Sequence, residues 1–442
     1  MEDYGGYAYL HLGEKVNPET HIFAKFYVES TFPLEKAASA IAAESSVGTW
    51  TGLSTMHKDI IKSKAAKVIE IDKRTNTVVI AYPNVLWERG NIPQLLSGIA
   101  GNIYGLKEIV RLKLLDITLN YDYVRSFLGP EFGISGVRDL LEVPERPLLG
   151  TIIKPKLGLN EEQHAKVAYE SWLGGVDVVK DDENLTSQRF NNFYRRVRLT
   201  LQLRRKAEET TGQKKIYLPN ITASPDEVYR RAQFVRQEGG KAVMIDILTA
   251  GLGVVEYVRK LGLKVVIHGH RAMHAAFTRL PDYGISMLVI AKLSRLAGID
   301  QLHIGTVVGK MEGGAEEVLT MHRFLRSPWY GLKTTFHVAS GGLHPGTVEA
   351  LLNIVGDYDL IINMGGGIHG HPKGTFYGAK AARDAIDLVV SGKGLRYALE
   401  NPAKYPELAE ALKKWGLLGV DGSVVIPPKG EQMTYRNVLV EK

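Results

Sequence analysis

The stretch Gly174-Gly175-Val176-Asp177-Val178-Val179-Lys180-Asp181-Asp182-Glu183-Asn184 passes from two glycines through an apolar segment into a cluster of charge. Val176, Val178 and Val179 have the β-branched character of a buried strand, and the charges stand at its C-terminal tip. Lys180 and Asp182 share the parity of one strand face, and Glu183 follows where the chain turns, so three side chains can converge on one point. Two of them are hard oxygen ligands suited to magnesium, but an ammonium is not a ligand. The lysine is therefore either a counter-charge or a group that is chemically changed. By composition alone a Lys-Asp-Asp-Glu run is more often a solvated ion-pair cluster, which contributes little. Its place at a buried strand tip argues for chemistry, because active sites of parallel β/α barrels lie at the C-terminal strand ends.

Seven further apolar runs surround this one, each followed by a helical pattern. In order the eight are Leu148 to Ile153, Val176 to Val179, Ile216 to Leu218, Ala242 to Ile247, Val265 to Ile267, Gln301 to Ile304, Phe336 to Ala339 and Leu360 to Met364. Eight strands close a barrel, and spacings of roughly 23 to 40 residues hold one helix and two loops each. The expected fold class is α/β: a C-terminal (β/α)8 TIM barrel over 131–442, preceded by a smaller α+β, ferredoxin-like domain over 1–130. That first domain mixes strands at His21 to Val28, Lys67 to Ile71, Thr77 to Tyr82 and Glu108 to Leu115 with helices at Leu34 to Ala43 and Pro93 to Ile99, which implies an antiparallel sheet. Gly129 to Arg146, punctuated by glycine and proline, reads as the junction.

The strand tips form a series. They carry Lys154 and Lys156 on the first strand, Lys180, Asp182 and Glu183 on the second, Asn220 on the third and Asp246 near the fourth. Then come His268, His270 and Arg271 on the fifth, His303 on the sixth, Ser340-Gly341-Gly342 on the seventh and Gly365-Gly366-Gly367 on the eighth. Glycines at 341, 342, 365 and 366 free backbone amides to approach an anion, at the loops that hold phosphate in this architecture. Arg271 and His303 form a second anion site. Two anion sites flanking a metal imply a short, doubly phosphorylated substrate. The loop Gly305 to Gly314, with glycines on both sides of Lys310, reads as a hinged lid.

Bulk properties agree with an enzyme of metabolites. A chain of 442 residues with 45% hydrophobic and 23% charged residues is ordinary for a globular protein. The formal charge of +7 admits anionic ligands without choosing among them. The densest basic stretch, Arg195 to Lys206, lies on a helical pattern without interleaved aromatics and is expected to be a solvated face, so no nucleic-acid partner is implied. No apolar run is long enough to cross a bilayer and Met1 to Leu12 lacks a secretory pattern, which makes a cytoplasmic location the expectation and a membrane partner none. Zero cysteines leave oxygen and imidazole as the only metal ligands.

At these residues the chain resembles the large subunit of ribulose bisphosphate carboxylase/oxygenase, Rubisco. The motifs are Gly174 to Asn184, Ile153-Lys154-Pro155-Lys156-Leu157-Gly158, His268-Gly269-His270-Arg271-Ala272-Met273-His274-Ala275, Gly305-Thr306-Val307-Val308-Gly309-Lys310-Met311-Glu312-Gly313 and Ala339-Ser340-Gly341-Gly342-Leu343-His344-Pro345-Gly346. The first domain adds Ala43 to Trp50 and Ala100 to Gly105. The similarity runs nearly end to end, and the short N-terminus is similar to the archaeal, form III branch.

The resemblance implies magnesium-dependent carboxylation, and oxygenation, of ribulose 1,5-bisphosphate, with two 3-phosphoglycerate as the carboxylation product and nucleotide salvage as the substrate's source. Lys180 would react with an activating CO2 to form a carbamate and join Asp182 and Glu183 as a metal ligand. The carbamate or His270 would take the C3 proton, Lys310 would stabilise the new carboxylate, Lys154 would protonate C2 and Lys156 would support the substrate. Arg271, His303 and Ser340 would hold one phosphate. Gly342, Gly365 and Gly366, with Gly341 beside them, would hold the other together with Thr49 and Trp50; Asn363 completes the substrate-binding set. Glu44, Thr49, Trp50 and Asn102 would come from a partner subunit, so a homo-oligomer built from dimers, without a small subunit, is implied.

Three departures stand out. Ile152 occupies a position where many members place threonine, Asn363 stands where glutamine is common, and Ile368-His369 replaces Thr-Leu; the segment between Glu317 and Phe336 is also short. The rival reading is a Rubisco-like enolase or isomerase of sulfur salvage, against which Lys154, Lys310, Glu44 and Asn102 are all retained.

Overall fold

The computed structural model describes residues 7–49, 51–309 and 314–429. The chain divides into two compact units. The first comprises Met1–Gly129 together with Met273–Ala297 and Trp329–Leu332. Its five-stranded sheet runs in the order Gly284–Ile285, Ile109–Thr118, His21–Ser30, Thr77–Pro83, Lys67–Asp72. His21–Ser30 pairs antiparallel with both neighbours, and alternation along it buries Ile22, Ala24, Phe26 and Val28 on one face. Helix Leu34–Glu44 buries Ala37, Ala38, Ile41 and Ala42, a stripe at helical spacing. Gly284–Ile285 adds to the sheet edge in parallel, pairing with Lys113 and Leu114. Helix Met287–Ala297, which chain order alone would assign to the barrel, belongs to this unit.

The second unit contains the barrel. Its eight parallel strands are Leu148–Ile152, Val178–Lys180, Ile216–Leu218, Ala242–Asp246, Val266–His270, Gln301–His303, Phe336–Ser340 and Leu360–Met364. Sheet neighbours follow chain order, and the eighth strand returns to the first with Ile361 opposite Leu148. Between the third and fourth strands the ladder shrinks to one parallel bridge, Asn220 with Met244. Pro219 supplies an acceptor there, taking the Met244 amide at 2.9 Å, but has no N–H to give.

The barrel floor is filled with packed apolar side chains. Leu148, Val178, Ile216, Ala242, Val266 and Phe336, all first residues of their strands, pack into one buried cluster with Ile134, Val137 and Leu141 of helix Gly133–Leu141. Each of these side chains larger than alanine contributes about 1.5–3 kcal/mol on burial. The segment expected to be a plain junction thus contains a helix that plugs the N-terminal mouth. Asp300 fastens it, accepting the Phe132 and Gly133 amides at 2.7 and 3.0 Å through Oδ1.

The expectation of a solvated basic helix holds for Arg195, Arg198, Arg205 and Lys206, which are exposed, and is corrected for two residues. Helix Phe193–Thr211 contains Arg195 to Lys206, but Arg196 and Arg204 on it are buried. Arg196 is drawn inside by a carboxylate at the second strand tip.

Candidate active site

Adjacent residues at the second strand tip face opposite ways. Asp181 points into the wall, where Oδ2 accepts from Arg196 Nη2 at 3.0 Å and from the Asn220 amide at 2.9 Å, and Oδ1 accepts from Tyr217 Oη at 2.6 Å. Burial alone would raise its pKa; the Arg196 guanidinium, His164 and the Tyr217 hydroxyl outweigh that and hold it well below the usual carboxylate range. Arg196 also donates to Asn191 Oδ1 and Thr186 O, at 2.9 and 2.8 Å. The loop after the strand is thereby clamped from behind.

Lys180, Asp182 and Glu183 turn the other way and meet Lys154, Lys156 and His270. Lys180 is buried, its Nζ 2.8 Å from Asp181 O and 3.4 Å from Glu183 Oε2. Asp182 Oδ2 accepts from Lys154 Nζ at 2.8 Å, while its Oδ1 accepts from the Asn184 amide and side chain, each at 3.1 Å. Glu183 lies 3.9 Å from Lys156 Nζ and 3.6 Å from His270 Nε2. Asn220 anchors the Glu183 carbonyl at 3.0 Å.

Electrostatics separate these groups. Burial lowers the Lys180 pKa, partly opposed by Glu183 and Asp182. Burial and then Lys180 push His270 well below its ordinary value, so its ring is neutral. The Ala272 amide donates to His270 Nδ1 at 3.1 Å, which leaves the ring proton on Nε2, facing Glu183. Asp246, on the fourth strand, is raised to about 7 by burial and by Glu183 and Asp182, against the pull of Lys180. Its Oδ1 is 3.6 Å from His270 Nδ1 and makes no hydrogen bond among the described residues. As a strand tip Asp246 was visible in the sequence; its proximity to His270 was not.

The remaining tips supply anion-binding character. Arg271 is buried, which draws its pKa to about 10 and leaves it charged near neutral pH. His303 Nδ1 is 3.0 Å from Ser340 Oγ. Gly341 and Gly342 adopt φ of +117° and +75°, a backbone that side chains rarely follow. In the Gly365-Gly366-Gly367 triplet the roles divide. A Cβ on Gly366 would meet nothing within 4 Å, whereas one on Gly367 would lie 2.3 Å from Leu343 O. Gly366 therefore leaves open space and Gly367 serves packing. A Cβ on Gly365 would come 3.1 Å from Lys154 Cε. Asn363 is buried with Nδ2 unpartnered among the described residues. His369, one of the departures, bridges Thr151 Oγ1 at 3.0 Å and Thr375 Oγ1 at 3.1 Å. It holds the eighth tip to the first strand.

In the N-terminal unit, Asn102 Nδ2 donates to Glu44 Oε1 at 3.4 Å, and Thr49 follows the same helix. Trp50 and Lys310 lie outside the described residues.

Comparison with known proteins gives the family of the chain. The catalytic-domain model of the ribulose bisphosphate carboxylase large chain matches residues 133–415, and the N-terminal-domain model of the same chain matches 9–123. The ribulose bisphosphate carboxylase of Methanocaldococcus jannaschii is 50% identical over 403 residues, covering 86% of this chain and 94% of that protein. That of Pyrococcus furiosus is 49% identical over 388 residues, covering 87% and 91%. Among solved structures, octameric Rubisco from Pyrococcus horikoshii OT3 in complex with sulfate superposes with a TM-score of 0.89 at 44% identity, covering 93% of this chain and 97% of that one. Dimeric archaeal Rubisco from Hyperthermus butylicus gives a TM-score of 0.87 at 40% identity, covering 93% and 100%. With both domain models matched in order and such identity along most of its length, the chain belongs to the ribulose bisphosphate carboxylase large-chain family.

Proposed function

We propose that this protein carboxylates ribulose 1,5-bisphosphate to two 3-phosphoglycerate, with oxygenation as the competing reaction, and that it needs Mg2+ and activation by CO2. The observation that carries the reading is the buried lysine, Lys180, held 3.4 Å from Glu183 beside a carboxylate already paired with Lys154.

The donor set fits the ion on one condition. Asp182 and Glu183 offer hard oxygens, but among the described residues no group of three His, Cys, Asp or Glu is placed to hold a metal. A third oxygen arises if the neutral Lys180 amine adds to CO2, forming an N–C bond and releasing a proton. Burial favours that amine. Bound there, Mg2+ supplies positive charge beside the sugar oxygens that become negative as C3 loses its proton.

The chain's own residues divide the rest. Arg271, His303 and Ser340 bind one phosphate, and the amides of Gly342, Gly365 and Gly366 bind the other. The Lys180 carbamate takes the C3 proton, because the neutral His270 ring already carries its proton at Nε2 and can only donate at that atom. Lys154 Nζ donates a proton to C2 after the C2–C3 bond breaks. Lys156 adds charge at the mouth, and Lys310 meets the new carboxylate. Glu44, Thr49, Trp50 and Asn102 of a second copy complete the site, so the working assembly is built from dimers without a small subunit. We place the enzyme in the cytoplasm, fed by nucleotide salvage; among the described residues no helix is long and apolar enough to cross a membrane.

Purified protein incubated anoxically with labelled bicarbonate, Mg2+ and ribulose 1,5-bisphosphate should form an acid-stable labelled product. Absence of that product from activated protein would falsify the assignment.

A further inference from the structure

One line of side chains joins the sixth, fifth and seventh strands behind the anion site. Gln301 Oε1 lies 2.8 Å from His268 Nδ1, His268 Nε2 lies 2.8 Å from His303 Nε2, and His303 Nδ1 lies 3.0 Å from Ser340 Oγ. Gln301, His268 and His303 are buried. Burial brings His268 down to about 3 and His303 well below its ordinary value, so both rings are neutral near pH 7. A neutral imidazole has one N–H and one lone pair, so whichever end sets the polarity sets every bond along the line.

Only two directions satisfy all three contacts. In the first, Gln301 Oε1 accepts from His268 Nδ1, His268 Nε2 accepts from His303 Nε2, and Ser340 gives its one proton to His303 Nδ1. That direction leaves Gln301 Nε2 buried without a hydrogen-bond partner, and it leaves Ser340 only lone pairs to offer an anion. In the second, the Gln301 amide is turned by half a turn. Its Nε2 donates to His268 Nδ1, His268 Nε2 donates to His303 Nε2, and His303 Nδ1 donates to Ser340 Oγ. The serine proton is then free for a ligand. The half-turn also replaces a buried orphan donor by an under-satisfied carbonyl, the less costly of the two.

We infer that Gln301 is a positioning residue: by donating through its amide nitrogen to His268 it polarises the His268–His303 pair so that Ser340 presents its hydroxyl proton to a phosphate group. The inference rests on the assignment of Arg271 and Ser340 to one end of a sugar bisphosphate; His303, with both ring nitrogens in the line, acts there through Ser340. Gln301 itself touches no substrate.

Neutron diffraction from the deuterated full-length protein reads the line directly. Deuterium on His268 Nε2 and His303 Nδ1 is expected; deuterium on His268 Nδ1 and His303 Nε2 overturns the inference. Kinetics give a second readout. Gln301→Met removes the donor at similar volume, and Gln301→Glu, which when ionised can only accept, forces the opposite polarity. The KM for ribulose 1,5-bisphosphate should rise roughly tenfold or more in Gln301→Glu and less in Gln301→Met, with kcat within about twofold, the scale of one hydrogen bond to a charged group. A merely structural role would lower active fraction and melting temperature and leave the KM of the surviving enzyme unchanged, which overturns the proposal. If the wild type binds no bisphosphate, the functional reading fails, and the deuterium positions still decide the polarity.

Discussion

Asp181 and Asp182 are chemically identical neighbours with separate purposes, because successive residues of an extended chain face opposite sides. Asp181 closes a buried network with Arg196 and Tyr217, and Asp182 faces Lys154. Lys180 is the group on which the proposed activation turns. Lys180→Ala should abolish carboxylation while the far-ultraviolet circular dichroism spectrum stays that of the parent; retained turnover refutes its role. Because burial lowers the Lys180 pKa, the neutral amine gains population at lower pH than in an ordinary lysine. Activation by CO2 and Mg2+ should therefore increase with preincubation pH when the assay itself is run at one pH, and a flat profile counts against the amine. Asp246 gives a stability signal of the opposite kind. Its carboxyl is raised from 3.8 to about 7 in the folded protein, so its favourable contribution is full below its unfolded pKa and is lost as pH rises through the folded one. In metal-free protein, Asp246→Asn should gain stability over its parent between about pH 4 and pH 8, by up to about 4 kcal/mol. Denaturant titrations at both pH values measure this, and an equal difference at both would contradict it.

Among elements, what was legible in the sequence follows from how each is buried. Strands covered on both faces read as continuous apolar runs, and the eight runs begin within two residues of the strands observed. The polar tips were readable for the same reason, since they interrupt those runs. Helix Gly133–Leu141 was not, because its glycines read as turn punctuation and its partners are the floors of distant strands. Gly284–Ile285 is two residues long and carries no periodicity. On helix Phe193–Thr211 the solvated face was legible but the burial of Arg196 was not: a buried arginine is defined by its partner, and Asp181 sits 15 residues earlier on a different element. The same holds for the site, where Asp246 beside His270 and the Gln301 to Ser340 line exist only across strands. Breaking the Arg196–Asp181 pair tests the clamp. Arg196→Met should destabilise the protein by about 3–5 kcal/mol in chemical denaturation, because a buried carboxylate loses its partner. Adding Asp181→Asn should recover part of that loss; strict additivity of the two changes would deny the coupling.

For the whole molecule, the proposed function places the N-terminal unit in a partner's active site. Half-buried Glu44 and exposed Asn102 meet at the C-terminal end of helix Leu34–Glu44, and the proposal sends them to the barrel mouth of a second copy. A site shared between copies has a consequence that a self-contained site lacks. A subunit with Lys180→Ala keeps a sound N-terminal unit, and one with Glu44→Ala keeps a sound barrel. Each variant alone should be inactive, since every site in its assembly contains one lesion. In a mixed dimer both lesions fall in one site and the other is intact. Random pairing makes about half of all dimers mixed, so about a quarter of all sites should regain activity. After co-expression of the two variants with different affinity tags and tandem purification, every dimer is mixed, so the labelled-bicarbonate assay should show about half of the sites active. If Glu44 instead served the barrel of its own chain, each mixed dimer would carry one lesion in each site and no activity would return.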